Sequence, residues 1–285
     1  VRLAYLGTSD FAADLLRRLV DAGRVPELVV TRPDRPKGRG RRLTAPPVAD
    51  VARELDLALA QPDDVNSFAA VLGLDAVVVC AYGALLKEPL LSEPGLLNVH
   101  PSLLPRWRGA APIERAIMAG DAETGVAIMR PTAGFDEGPV CALAREPIGP
   151  QDDYATLSAR LVPLAAQLLV RVFDEHPPFV EQATDGVVYA DKIGPDDRTL
   201  DPARSAVELD RVVRALHPHI GARLGDGLGV RRARPLPDVA APPGLSRDGD
   251  RLLLGTAAGA LELLEVQPPG GRPMDAAAYL RGRDL

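Results

Sequence analysis

The chain has 285 residues, 46% of them hydrophobic and 25% charged, and a net charge of −6; this excludes a wholly disordered polymer and leaves room for one large and one small domain. No run approaches the roughly 20 consecutive apolar residues of a transmembrane helix. With only Cys80 and Cys141, neither a disulfide framework nor a cysteine-built zinc site is encoded.

The opening run Val1 to Leu6, followed at once by Gly7-Thr8-Ser9-Asp10, lacks the basic lead and cleavage site of a signal peptide and reads as a first strand. A cytoplasmic protein is expected. A helix follows over Ala12 to Ala22, with Leu15, Leu16 and Leu19 on one face, then a strand over Leu28 to Thr31. Between Thr31 and Arg42 six basic residues (Arg32, Arg35, Lys37, Arg39, Arg41, Arg42) face one acidic residue, Asp34, and the interspersed Gly and Pro predict a loop rather than helix or strand. Helix over Val48 to Leu55, strands over Ala76 to Ala81 and Leu96 to His100, helix over Ala110 to Ala119 and strand over Gly125 to Met129 continue the alternation. Such alternation predicts an α/β domain, Rossmann-like, with a mainly parallel sheet, covered by a long helix over Tyr154 to Glu175. The first strand–helix turn lacks the GxGxxG of a dinucleotide binder.

After Val188 the text turns polar, and an amphipathic helix over Ser205 to Leu216 precedes short strand-like runs with Gly and Pro turns. The expected organisation is a first domain over 1–189, a linker over 190–204 and a small β domain over 205–285. From Asp201 onward 12 basic residues meet 11 acidic ones, so the negative charge belongs to the first part.

Strand side chains alternate in direction, so Asn98 and His100 share a face and Val99 takes the other. Pro101 stops the strand where the ends of an open α/β sheet form a crevice for ligands. Asp136 lies in the turn Gly134-Phe135-Asp136-Glu137-Gly138. Singly, these are a core histidine, a turn-forming asparagine and a turn aspartate.

Together, Asn98, His100, the run Ser102-Leu103-Leu104-Pro105, the run Arg106 to Ile113 (RWRGAAPI) and the Asp136 turn resemble the folate-dependent formyltransferase family. The resemblance implies 10-formyltetrahydrofolate as formyl donor and no metal. Asn98 would donate to the oxyanion of the tetrahedral intermediate, His100 would donate to the same oxygen or protonate the leaving amine, and Asp136 would favour the imidazolium and accept the attacking amine's proton through a water. The folate pocket would comprise Ser102, Leu103, Leu104 and Pro105 with Ala81, Tyr82, Gly83, Leu85 and Leu86, an apolar wall suited to a flat heterocycle.

The wording RPKGRGRRL, with Arg35, Lys37, Arg39, Arg41 and Arg42, is similar to the inserted loop with which the members acting on methionyl-tRNA grip the acceptor stem; phosphate contacts there would add affinity and salt sensitivity. Asp10 and Phe11 correspond to a stretch near the methionyl group. Tyr189 to Ile193, Arg214 to Leu216 and Gln267 to Met274 resemble the family's C-terminal module, a small OB-like β-barrel that touches tRNA. The implied reaction is formylation of the amino group of initiator methionyl-tRNA by a monomer. A sugar nucleotide or other small amine is the alternative acceptor, and a noncatalytic tRNA binder a third reading. Two departures stand out: His217-Pro218-His219-Ile220 replaces an Asn-Pro-Trp-Pro-like turn, and Glu137 replaces a Thr.

Overall fold

Strands Leu3–Gly7 and Ala76–Cys80 are buried along their whole length, as strands covered on both faces must be. In the computed structural model, which describes residues 1–37, 40 and 42–281, they form the centre of a seven-stranded sheet. From edge to edge it runs Val140–Pro147, Glu123–Met129, Leu96–His100, Ala76–Cys80, Leu3–Gly7, Leu28–Val30 and Leu59–Ala60. The five strands from Leu96–His100 to Leu59–Ala60 are parallel. Glu123–Met129 enters antiparallel and sets Met129 opposite Asn98 and Ala127 opposite His100, so the two polar residues stand where the parallel set ends.

Helix Asp10–Asp21 starts at Ser9, whose hydroxyl accepts the Ala12 N–H at 3.3 Å, an N-cap bond worth about 1 kcal/mol. It buries Leu15, Leu16 and Leu19. It meets the first strand at Gly7, where a Cβ would come within 2.8 Å of the Ala12 Cβ. Helix Tyr154–Glu175 has 22 residues and, by length and composition alone, is apolar enough to cross a bilayer, against the expectation from the sequence; half of its apolar window is buried inside the protein.

The chain divides into two compact units, one of 1–109, 125–146 and 158–189, the other of 110–124, 147–157 and 190–285. These compact units are interleaved in sequence, where the expected organisation had one boundary near 189. In the second unit helix Pro112–Ala119 packs against helix Ala206–Leu216, and Met118 joins that unit's apolar core. Several polar residues of the segment 190–204 are engaged in that unit. Arg115 grips Asp197 at 2.7 and 3.0 Å and the Asp191 carbonyl at 3.1 Å, holding the Asp197 carboxyl below its ordinary range, while Leu200 is buried in the core. Helix Ala206–Leu216 opens on a capping box between Ser205 and Glu208. The remainder is antiparallel sheet in the order Ala222–Arg223, Gly229–Leu236, Ala260–Gln267, Arg251–Gly255, Gly244–Asp248, with Met274–Asp275 pairing Ala260–Gln267.

The departing turn has a structural role. The His219 ring stacks on Tyr154 at 3.8 Å between centroids and its Nε2 meets Glu114 Oε1 at 3.0 Å, whereas His217 Nε2 lies 3.9 Å from Asp153. We expect His219→Ala to cost about 1–2 kcal/mol through the lost stacking and hydrogen bond. Chemical denaturation reads this directly, and an unchanged midpoint would show the stack to be idle.

The basic segment is a second correction. Arg35–Lys37 and Arg42–Thr44 form a short antiparallel ribbon, with Pro36 opposite Leu43 and Lys37 opposite Arg42. Pro is tolerated because both strands of a two-stranded ribbon are edges. Its base is held by Gln61, whose Nε2 donates to the Arg32 carbonyl at 2.9 Å and Asp34 Oδ1 at 2.7 Å. Arg35, Arg42 and Leu43 are exposed. Arg39 and Arg41 lie outside the described residues, as does the Lys37 side chain.

Candidate active site

Asn98 and His100 leave the C-terminal end of strand Leu96–His100 on one face, with Val99 buried on the other. Asp136 reaches them from the turn after Glu123–Met129. Asn98 Nδ2 donates to Asp136 Oδ1 at 3.3 Å, and His100 Nδ1 lies 3.6 Å from Asp136 Oδ2. Side chains up to 38 positions apart in sequence thus meet around the Asp136 carboxylate.

Two backbone groups that carry no sequence signal complete the arrangement. The Gly109 N–H donates to Asp136 Oδ2 at 2.9 Å, and His100 Nε2 lies 2.8 Å from the Trp107 carbonyl. A carbonyl only accepts, so Nε2 carries a proton and Nδ1, facing Asp136, is the nitrogen that can gain or lose one. His100 is 4% exposed, and its burial together with the Nε2 bond to the Trp107 carbonyl sets the orientation of the imidazole. Trp107, Gly109 and Asp136 all adopt positive φ, 65°, 117° and 49°. For Trp and Asp this is a conformation that persists only where surrounding contacts enforce it.

The expected folate-lining residues divide. Ser102 is fully buried and its hydroxyl donates to the Arg106 carbonyl at 2.7 Å, so it shapes the turn after the strand and does not face a ligand. Leu104 likewise packs inward with Ala127 and Met129; Leu103 and Pro105 are partly exposed. Ala81 and Gly83 turn at positive φ, with the Tyr82 carbonyl between them taking the Thr8 hydroxyl at 2.7 Å. Leu85 is exposed. Asp10 is exposed at the first turn of its helix, but Phe11 is 5% exposed and belongs to the core.

Beside the Asp136 turn is an open cavity of about 560 Å³, lined by Arg108, Thr132, Glu137, Gly138, Gln182 and Tyr189 among others. Gly138 permits a close approach of backbone to backbone, since a Cβ there would lie 2.0 Å from the Arg130 carbonyl. Glu137 folds its carboxylate over Gly134, where an added Cβ would lie 1.8 Å from Oε1. Neither cysteine suits a nucleophile: burial pushes the Cys80 thiol up to about 12 and raises that of half-buried Cys141. Among the described residues, no three His, Cys, Asp or Glu side chains gather as a metal-holding group.

What the arrangement can do is acyl-group chemistry at an amine: one amide donor for an oxyanion, one imidazole and one carboxylate for two proton movements. Comparison with known proteins agrees. The family model described as formyl transferase matches residues 1–173, and the formyl transferase C-terminal domain matches 192–284. A methionyl-tRNA formyltransferase of Phenylobacterium zucineum is 44% identical over 300 residues, covering 99% of this chain and 97% of its own. That of Paracoccus denitrificans is 44% identical over 297 residues, covering 100% and 98%. Among solved structures, an N-formyltransferase from Helicobacter canadensis, in complex with folinic acid and dTDP-3-aminofucose, shares the fold with a TM-score of 0.71 at 13% identity, over 92% of this chain and 98% of that one.

Proposed function

The chain belongs to the formyl transferase family, and on that premise we propose that it transfers the formyl group of 10-formyltetrahydrofolate to the amino group of methionine charged on initiator tRNA. The observation that carries the chemistry is the convergence of Asn98, His100 and Asp136 at the strand end. The acceptor is supported by relatives of that activity matching end to end at 40–44% identity and by the basic ribbon. Tetrahydrofolate leaves as product. The reaction belongs in the cytoplasm, where initiator tRNA is used, and needs one copy of the chain.

The amine nitrogen attacks the formyl carbon, and the carbonyl oxygen becomes an oxyanion. Asn98 has two amide N–H groups; one is engaged by Asp136, leaving the other for that oxygen. Asp136, 3.6 Å from His100 Nδ1, takes the attacking nitrogen's proton through a water. The bond from the formyl carbon to the folate nitrogen then breaks as that nitrogen is protonated by His100 from Nδ1. Leu103, Pro105, Leu85 and the turn Ala81-Tyr82-Gly83 form the wall for the pteridine, and Asp10 lies toward the methionyl group.

The deciding test supplies 10-formyltetrahydrofolate with charged initiator tRNA, charged elongator tRNA, glycinamide ribonucleotide and amino-sugar nucleotides in parallel. Formylation of initiator methionyl-tRNA is the expected result. Product formed only on an amino-sugar nucleotide would transfer the assignment to the small-amine branch.

A further inference from the structure

A left-handed aspartate costs about 1–3 kcal/mol and needs something to hold it. Outside the three site residues, the side chain tied most fully to the Asp136 turn is Gln182. Its Nε2 donates to the carbonyls of Asp136 and Gly138, each at 2.8 Å, and its Oε1 accepts from Arg108 Nε at 3.0 Å and Nη2 at 2.9 Å. Carbonyls only accept and guanidinium only donates, so the orientation of the amide is dictated and all four of its hydrogen-bonding positions are used.

The other end of this tie is equally placed. Arg108 is 8% exposed and sits between Trp107, whose carbonyl takes the His100 proton, and Gly109, whose N–H meets Asp136 Oδ2. Gln182 therefore connects the backbone carrying Asp136 to the backbone that orients both His100 and the same carboxylate. Two strained segments, at Trp107 and at Asp136, are pinned against one another by one amide. Glutamine is the side chain for this task, since it offers two donors to the carbonyls and an acceptor to the guanidinium. Glutamate would keep Arg108 and face the two carbonyls with no proton to give.

We propose that Gln182 and Arg108 are positioning residues of the reaction: they set the distance and angle between Asp136 and His100. This rests on the formyl-transfer reading above. In Gln182→Glu, kcat falls about a hundred-fold, the scale of a displacement of about 1 Å at a reacting group, while KM for methionyl-tRNA and for the formyl donor stays within about threefold. Because the protons of the reaction pass through the Asp136–His100 pair, a changed geometry between them also moves the pH profile of kcat. Arg108→Lys, which keeps the charge but loses the two-point hold on Oε1, shows the same split in smaller measure.

The experiment measures kcat, KM, the kcat–pH profile and the unfolding midpoint for the wild type, Gln182→Glu and Arg108→Lys. A kcat fall with displaced pH limbs and near-constant KM supports the assignment. Unchanged kcat in folded Gln182→Glu overturns it, as does a loss that follows the unfolding midpoint with the pH profile intact. Should Gln182→Glu fail to fold, Arg108→Lys decides by the same criteria. A wild type inactive on methionyl-tRNA would instead defeat the functional reading itself.

Discussion

Asp136→Ala is expected to lower the rate of formyl transfer about a thousand-fold while the dissociation constant for the folate stays within about threefold. The magnitude follows from the site: loss of this carboxylate removes the proton acceptor, a contribution of about 10²–10⁴, and also the partner that Asn98, His100 and the Gly109 N–H share. Asn98→Ala removes an oxyanion donor and is expected to cost about 10²–10³; His100→Ala belongs in the range of Asp136→Ala. Since the three act around one carboxylate, the double variants should fall little below the worse single variant. Single-turnover rates with preloaded donor, alongside folate binding by fluorescence quenching, separate chemistry from affinity. Turnover within about threefold of wild type in all three single variants would remove these residues from the mechanism.

Sequence patterns specified the chemistry-bearing strand well. Leu96–His100 and helix Tyr154–Glu175 have the bounds that periodicity predicts, because a buried strand and a long amphipathic helix each repeat their signal many times. The juxtaposition of Asn98 with His100 is legible from alternation alone. What escaped is what depends on tertiary partners. The 190–204 segment looks like a linker because its residues are polar, yet Arg115 turns that polarity into binding. The ribbon at Arg35–Lys37 was hidden by Pro36, which an all-edge ribbon accepts. Ser102 shares the run that resembles a pocket lining, and burial gives it to the turn. Gln182 had no signal at all: it is 46 residues from Asp136 with no motif around it, and only the fold shows that both its donors and its acceptor are used.

The basic ribbon makes the second strong prediction, and it separates acceptor from chemistry. Six cations within Arg32 to Arg42, opposed by Asp34 alone, are far more than a small acceptor needs, and Arg35 and Arg42 stand exposed on the paired strands. If these side chains neutralise tRNA phosphates, each contact releases counterion, and log affinity falls against log salt by about 0.7–0.9 per contact. Replacing Arg39, Arg41 and Arg42 together by Gln is then expected to reduce kcat/KM for methionyl-tRNA on the order of a hundred-fold at low salt, and to make its salt dependence shallower by roughly two in log–log slope. The deficit should narrow as salt rises, because the wild type loses what the variant has already lost. Folate affinity should not change. Arg42→Gln alone tests a finer point: a phosphate contact weakens all charged tRNAs equally, whereas a residue reading the end of the acceptor stem alters the ratio of initiator to elongator. Identical tRNA kinetics and an identical salt slope in the triple variant would mean that the ribbon does not hold tRNA, leaving the second unit to recognise the acceptor.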